Sequence, residues 1–107
     1  MPKTGRLNRN QIQEIVEKGR KIHSPFFSFI YVNSPKTKKF AISVPKKDFP
    51  RAVCRNKYKR WVKEILRTNM SSLPACSILI ILRKELKNKD FSEFSTLLLG
   101  EITKISL

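Results

Sequence analysis

Acidic residues are scarce in this chain. Eight Asp and Glu stand against 23 Lys and Arg, a formal net charge of +15 in 107 residues. Such a chain repels itself in isolation and calls for a polyanionic partner, of which nucleic acid is the first candidate. Histidine occurs once, as His23, and the two cysteines, Cys54 and Cys76, form no CxxC pair. No metal site is therefore expected in the protein, and two reduced, packed thiols are the simpler reading. No run of about 20 apolar residues is present to span a membrane, and Met1-Pro2-Lys3-Thr4-Gly5-Arg6 lacks the apolar core of a signal peptide. A cytoplasmic protein with no membrane partner is expected. The few carboxylates do not cluster: Glu14 with Glu17 and Asp90 with Glu93 are i,i+3 pairs near helix starts, where acids meet the helix dipole favourably. No catalytic residue is assigned to the protein.

What remains can fold. Hydrophobic residues make up 40% of the chain, a globular share, so the charge is carried by a packed protein rather than a disordered tail. The length suits one domain over residues 1–107. Ile12, Ile15 and Val16 at helical spacing, with Asn8 as N-cap and Gly19 as the C′ residue, predict a short first helix. Residues 26–32 alternate as a strand, with Phe27, Phe29 and Tyr31 on one face and Phe26, Ser28, Ile30 and Val32 on the other. Turn residues at 33–38 and a second alternating stretch, Phe40, Ile42 and Val44, predict a hairpin with that strand.

Pro50 then introduces a helix over 51–67, tolerated because a proline in the first turn forfeits no helix hydrogen bond. The unbroken apolar run 77–82 predicts a strand covered on both faces. A last helix starts at Asp90 with Glu93 three residues on, and carries Phe91, Phe94, Leu97, Leu98, Ile102 and Ile105 at helical spacing. The fold class is α+β, a single two-layer sandwich in the order α-β-β-α-β-α, its small sheet covered by helices.

The helix at 51–67 concentrates the charge. Cys54, Tyr58, Trp61 and Ile65 step along one side with Val62 nearby, which makes that side the core face. Asn56, Arg60, Lys63 and Arg67 step along the opposite side, with Lys59 beside them and Arg55 near the boundary. From Lys46 to Arg67 nine basic residues meet only Asp48 and Glu64. Crowded like charges weaken an isolated helix, so the arrangement makes sense only against phosphates, which Arg grips with forked donors and Lys meets as a point charge.

The order of residues sharpens this. Ala52-Val53-Cys54-Arg55-Asn56-Lys57-Tyr58-Lys59-Arg60 closely resembles the Arg-Asn-Arg motif of the bacterial ribonuclease P protein family, and Val44-Pro45-Lys46-Lys47-Asp48-Phe49-Pro50-Arg51 resembles its lead-in. Gly19-Arg20-Lys21-Ile22, the segment 27–31 and the segment 78–84 extend the resemblance over nearly the whole chain. It implies a fold like the second domain of ribosomal protein S5. It also implies a protein that assists a catalytic RNA subunit in removing the 5′ leader of precursor tRNA, with Mg2+ held mainly by the RNA and no obligate protein partner.

Carried over residue by residue, the resemblance implies that Lys46, Lys47, Arg51, Arg55, Asn56, Lys57, Lys59, Arg60, Lys63 and Arg67 contact the RNA subunit. The 5′ leader would lie between the first helix and the sheet, at Ile12, Val16, Phe27, Phe29 and Tyr31. Two departures are visible. Lys57 stands where the family usually has Arg, losing the fork but keeping the charge. Ile12 and Val16 stand where the family's first helix often has aromatics, which would shift base stacking onto Phe27, Phe29 and Tyr31. These three are either a stacking platform or ordinary core, and in a domain this small core packing has the stronger claim on most of them.

Rival readings fare worse. A helix-turn-helix DNA reader would need a short partner helix ahead of the basic one. An amphipathic membrane binder would not commit Tyr58 and Trp61 to a core face. Another structured-RNA binder, such as a ribosomal protein, is the alternative.

Overall fold

The computed structural model describes residues 3–6, 9–33, 37–69 and 76–104. The elements are β1 (Lys3–Arg6), α1 (Arg9–Lys18), β2 (Arg20–His23), β3 (Phe27–Asn33), β4 (Thr37–Ser43), α2 (Ala52–Thr68), β5 (Cys76–Leu82) and α3 (Phe91–Ile102), with a 3-10 turn at Lys84–Leu86. The five strands form one sheet in the order β1-β4-β5-β3-β2. The α+β class holds, and β1 and β2 add two strands to the expected order. The expected Asn8 cap, the turn at 34–36 and Ile105 lie outside the described residues.

The expected hairpin between β3 and β4 does not form. β5 inserts between them, antiparallel to β3 and parallel to β4. The physical reason lies in β5 itself: its run Cys-Ser-Ile-Leu-Ile-Ile-Leu is apolar on both sides, and only a central position covers both. The true hairpin joins β2 to β3, closed where the Ser24 hydroxyl accepts from the Phe27 N–H and the Ser24 N–H donates to the Phe27 carbonyl. Arg20, Lys21 and His23 are exposed on β2, an edge strand whose charges discourage further pairing.

Strand register sorts the side chains into two faces. On one, Phe27, Phe29 and Tyr31 lie level with Leu82, Ile80 and Ile78. This face is covered by α2 through Tyr58, Val62, Ile65 and Leu66 and by α3 through Phe94, Leu98 and Ile102, which together build the main core. On the other face Ile30 and Leu79 meet Ile15 of α1, with Ile12, Val32, Ala41 and Ile81 around them. The sheet with α2 and α3 is the two-layer body, and α1 lies across part of the opposite face.

Each helix end has its own device. At α3 the Asp90 carboxylate accepts from the Glu93 N–H at 2.8 Å, the expected N-cap. At α1 Gly19 follows the last helical residue, but its φ is not positive, so the left-handed C′ role does not apply. Glycine is needed there for room. A Cβ would stand 2.5 Å from the Ile15 carbonyl oxygen, 2.8 Å from the Ile30 side chain and 3.0 Å from the Tyr31 oxygen. Gly19→Ala should therefore cost roughly 1–3 kcal/mol in urea unfolding, by overpacking the junction of α1 and β3. Gly100→Ala is the control: in α3, with nothing within 4 Å, it should be neutral or stabilising by up to about 1 kcal/mol.

Candidate RNA interface

The amphipathic sequence of α2 dictates how it sits. Tyr58, Val62, Ile65 and Leu66 are buried, and Cys54 and Trp61 are half-buried at the edge of the core. Trp61 is thus a border residue rather than the central core residue its spacing suggests. Its ring meets Tyr58, Phe94 and Phe91 edge-on at centroid distances of 5.5, 5.4 and 5.4 Å. Tyr58 also stacks on Phe94, and burial pushes its hydroxyl pKa up, with Cys54 adding to the rise, which keeps the phenol neutral.

This anchoring leaves Asn56, Arg60, Lys63 and Arg67 exposed on one outward face, in agreement with their spacing. Glu64 is the acid on that helix, and its carboxylate accepts from Arg67 at 2.6 Å. Lys46, Lys47 and Arg51 are exposed in the segment leading into α2, beside its N-terminus. That N-terminus has Arg51 as N-cap with no side-chain cap bond and no acid in the first turn, so the positive end of the helix dipole is left uncompensated by the chain.

Two of the expected RNA contacts, Arg55 and Lys57, carry structural work as well. Arg55 is half-buried, and its Nη1 donates to the Phe49 and Pro50 carbonyls, both at 2.9 Å. It ties the Pro45–Pro50 segment to the first turn of the helix. Lys57 Nζ lies 4.8 Å from the Tyr58 ring centroid and 5.1 Å from that of Trp61, where the ring faces attract the ammonium. Lys59 is half-buried at the flank.

The expected leader residues separate. Phe27, Phe29 and Tyr31 have 0%, 1% and 6% of their surface exposed and belong to the main core. Phe27 and Phe29 stack on each other, and Phe94 meets Phe27 edge-on. A ring enclosed in this way has no face left for a base, so these three residues are withdrawn from the leader surface. Ile12, half-buried, and Val16, exposed, remain together on α1.

Sequence reading missed what the second sheet face carries beyond α1. Register aligns His23, Ser28, Ile81 and Ser43 in one row across four strands, and Val32, Ser77 and Lys39 in another. His23 Nδ1 and Ser28 Oγ are 3.2 Å apart. Ser43 and Ser77, half-buried on neighbouring strands, were the available signal, since small polar residues leave shallow places in a sheet face; Ser28, in the row of Ser43, is buried.

Among the described residues no group of three or more His, Cys, Asp or Glu is placed to hold a metal ion. Nor is any described helix long and apolar enough to cross a membrane.

Comparison with known proteins bears on this arrangement. The family model described as Ribonuclease P matches residues 1–105. The ribonuclease P protein component of Petrotoga mobilis is 36% identical over 106 residues, covering 94% of this chain and 88% of that protein. That of Aliivibrio fischeri is 36% identical over 83 residues, covering 74% and 71%. Among solved structures, the ribonuclease P protein from Thermotoga maritima superposes with a TM-score of 0.86 at 31% identity, over 95% of this chain and 98% of that one. The Staphylococcus aureus protein superposes with a TM-score of 0.78 at 28% identity, over 94% and 95%. Matched in sequence and in fold over nearly its whole length, the chain belongs to the family of ribonuclease P protein components.

Proposed function

We propose that the chain acts in the cytoplasm as one RNA-binding domain with two separate surfaces. The outward face of α2 and the segment before it dock the catalytic RNA subunit. The second face of the sheet, beside Ile12 and Val16 of α1, receives the 5′ leader of precursor tRNA. Hydrolysis and its Mg2+ ions belong to the RNA subunit, and the protein contributes affinity and position.

The observation that carries this reading is α2 itself. One side is locked into the core by Tyr58, Val62, Ile65 and Leu66, while Asn56, Arg60, Lys63 and Arg67 are exposed on the other. A helix fixed from behind presents its cations without losing rigidity, so phosphate contacts cost little ordering entropy. The uncompensated dipole at its N-terminus favours phosphate in the same place. That sheet face is mixed rather than aromatic, with Ser43, Ser77 and Lys39 beside Val32, Ala41 and Ile81, which supports contacts to sugar and phosphate and little base selectivity.

Reconstitution tests the function. With a bacterial ribonuclease P RNA at low Mg2+, adding the protein should stimulate precursor cleavage, because its cations replace part of the divalent screening between two RNAs. Absence of stimulation with every bacterial RNA tried would contradict the proposal.

A further inference from the structure

The geometry points to the groove between α2 and α3 as a stacking site for an unpaired base of the partner RNA, with Phe91 and Trp61 as its floor and Arg60, Lys63 and Arg67 at its rim. This inference rests on the reading of α2 as an RNA-docking face and adds a recognition element to it.

Phe91 is the first residue of α3 and, among the described residues, one of the few large apolar side chains left exposed, at 41%. Nothing in the fold requires an aromatic there. The helix start is already fixed by Asp90, and the main core closes over Phe94 one turn later. The Phe91 ring instead stands edge-on to Trp61 at 5.4 Å and 81°. Trp61 is in turn braced from the core side by Tyr58 and Phe94. Lys57 Nζ lies over the Trp61 ring, 5.1 Å from its centroid, so in the step that the two rings form Trp61 is the brace and Phe91 offers the more exposed ring.

The space over this step is a groove of about 460 Å3, lined by Arg60, Trp61, Lys63, Glu64, Arg67 and Phe91. That volume falls in the range of ligand-sized pockets. Its one acid, Glu64, is engaged by Arg67. An aromatic floor between cationic walls is the combination that holds single-stranded nucleic acid, the rings taking a base and the cations its phosphates. A face that met only duplex phosphates would have no use for the rings. A protein partner of apolar character would not be served by three cations around so small an apolar floor.

Phe91 substitutions in the full chain separate stacking from packing. Phe91→Leu keeps apolar volume but removes the ring, and Phe91→Tyr keeps the ring. Affinity for a bacterial ribonuclease P RNA should fall roughly 5- to 150-fold for Phe91→Leu and Phe91→Ala and stay near wild type for Phe91→Tyr. The salt dependence should be unchanged in all three, since no charge is removed. Trp61 is the sole tryptophan, so its emission reports on the groove directly and should be quenched when wild-type protein binds the RNA. Wild-type affinity for Phe91→Leu, or Trp61 emission unmoved at saturating RNA, would overturn the groove while leaving the α2 reading intact. Failure of wild-type protein to bind any such RNA would remove that reading, and this inference with it.

Discussion

Replacing Arg60 and Lys63 together with alanine should weaken binding to the RNA subunit by roughly 25- to 60-fold at 0.1 M salt and make binding less sensitive to salt. Both side chains are exposed on the outward face of α2, where they point away from the core that holds the fold. Each phosphate that goes unneutralised takes about 0.7 to 0.9 from the slope of log affinity against log salt, so the pair should lower it by about 1.4 to 1.8. The same slope extrapolated from 1 M to 0.1 M salt sets the size of the affinity change. Helix integrity should not suffer, because alanine is the best helix former and removing two neighbouring cations relieves repulsion. Lys84→Ala with Lys104→Ala lowers net charge by the same amount away from α2 and should leave the slope within error of wild type. An equal slope change in that control would mean that net charge, not the α2 face, sets affinity.

Phe94→Ala should destabilise the protein by about 3–5 kcal/mol. Phe94 is fully buried where α3 crosses α2, with its ring stacked on Tyr58 at 5.7 Å and edge-on to Phe27 at 5.6 Å and Trp61 at 5.4 Å. Removing it leaves a cavity shared by both helices and the sheet, and breaks three aromatic pairings at once. Against a total stability of about 5–15 kcal/mol for a domain, and with a net charge of +15 opposing compaction, the variant should lose most of its cooperative thermal transition in low salt. Added RNA should restore part of it, since a ligand that binds only the folded state stabilises that state. A melting temperature equal to wild type would show that the packing of α3 on α2 does not hold the domain together.

The part of the fold that could be read from sequence is the part set by local spacing. Steps of three and four along α2 assigned Tyr58 and Ile65 inward and Arg60 and Lys63 outward, and both assignments match the structure. Asp90 announced the start of α3, and the apolar run of β5 announced a strand covered on both faces. What failed depends on contacts distant in sequence. Alternation in β3 showed that Phe27, Phe29 and Tyr31 share a face, but it carries no information on which face α2 and α3 cover, and the covered one was theirs. Pairing of β5 between β3 and β4 is likewise a choice among non-local partners. The strand β2 escaped notice because Arg20, Lys21 and His23 are exposed, leaving Ile22 alone without an apolar period.

The same limit explains the site. The cationic half of the proposed interface was legible residue by residue because most of it lies on one helix. The proposed leader half was not, because Ser43 on β4 and Ser77 on β5 come to share one sheet face only through strand pairing. Arg55 shows a further limit: its place in the motif marks it as an RNA contact, but its bonds to the Phe49 and Pro50 carbonyls show that it also fixes the entrance to α2.

Whether one protein holds two RNAs on two different surfaces is decided by site-specific photocrosslinking in the reconstituted complex with precursor tRNA. A benzophenone side chain at position 56, in place of exposed Asn56, should crosslink to the catalytic RNA subunit; the same group at position 16, in place of exposed Val16, should crosslink to the 5′ leader. Crosslinks from both positions to the same RNA, or the reverse assignment, would contradict the two-surface arrangement.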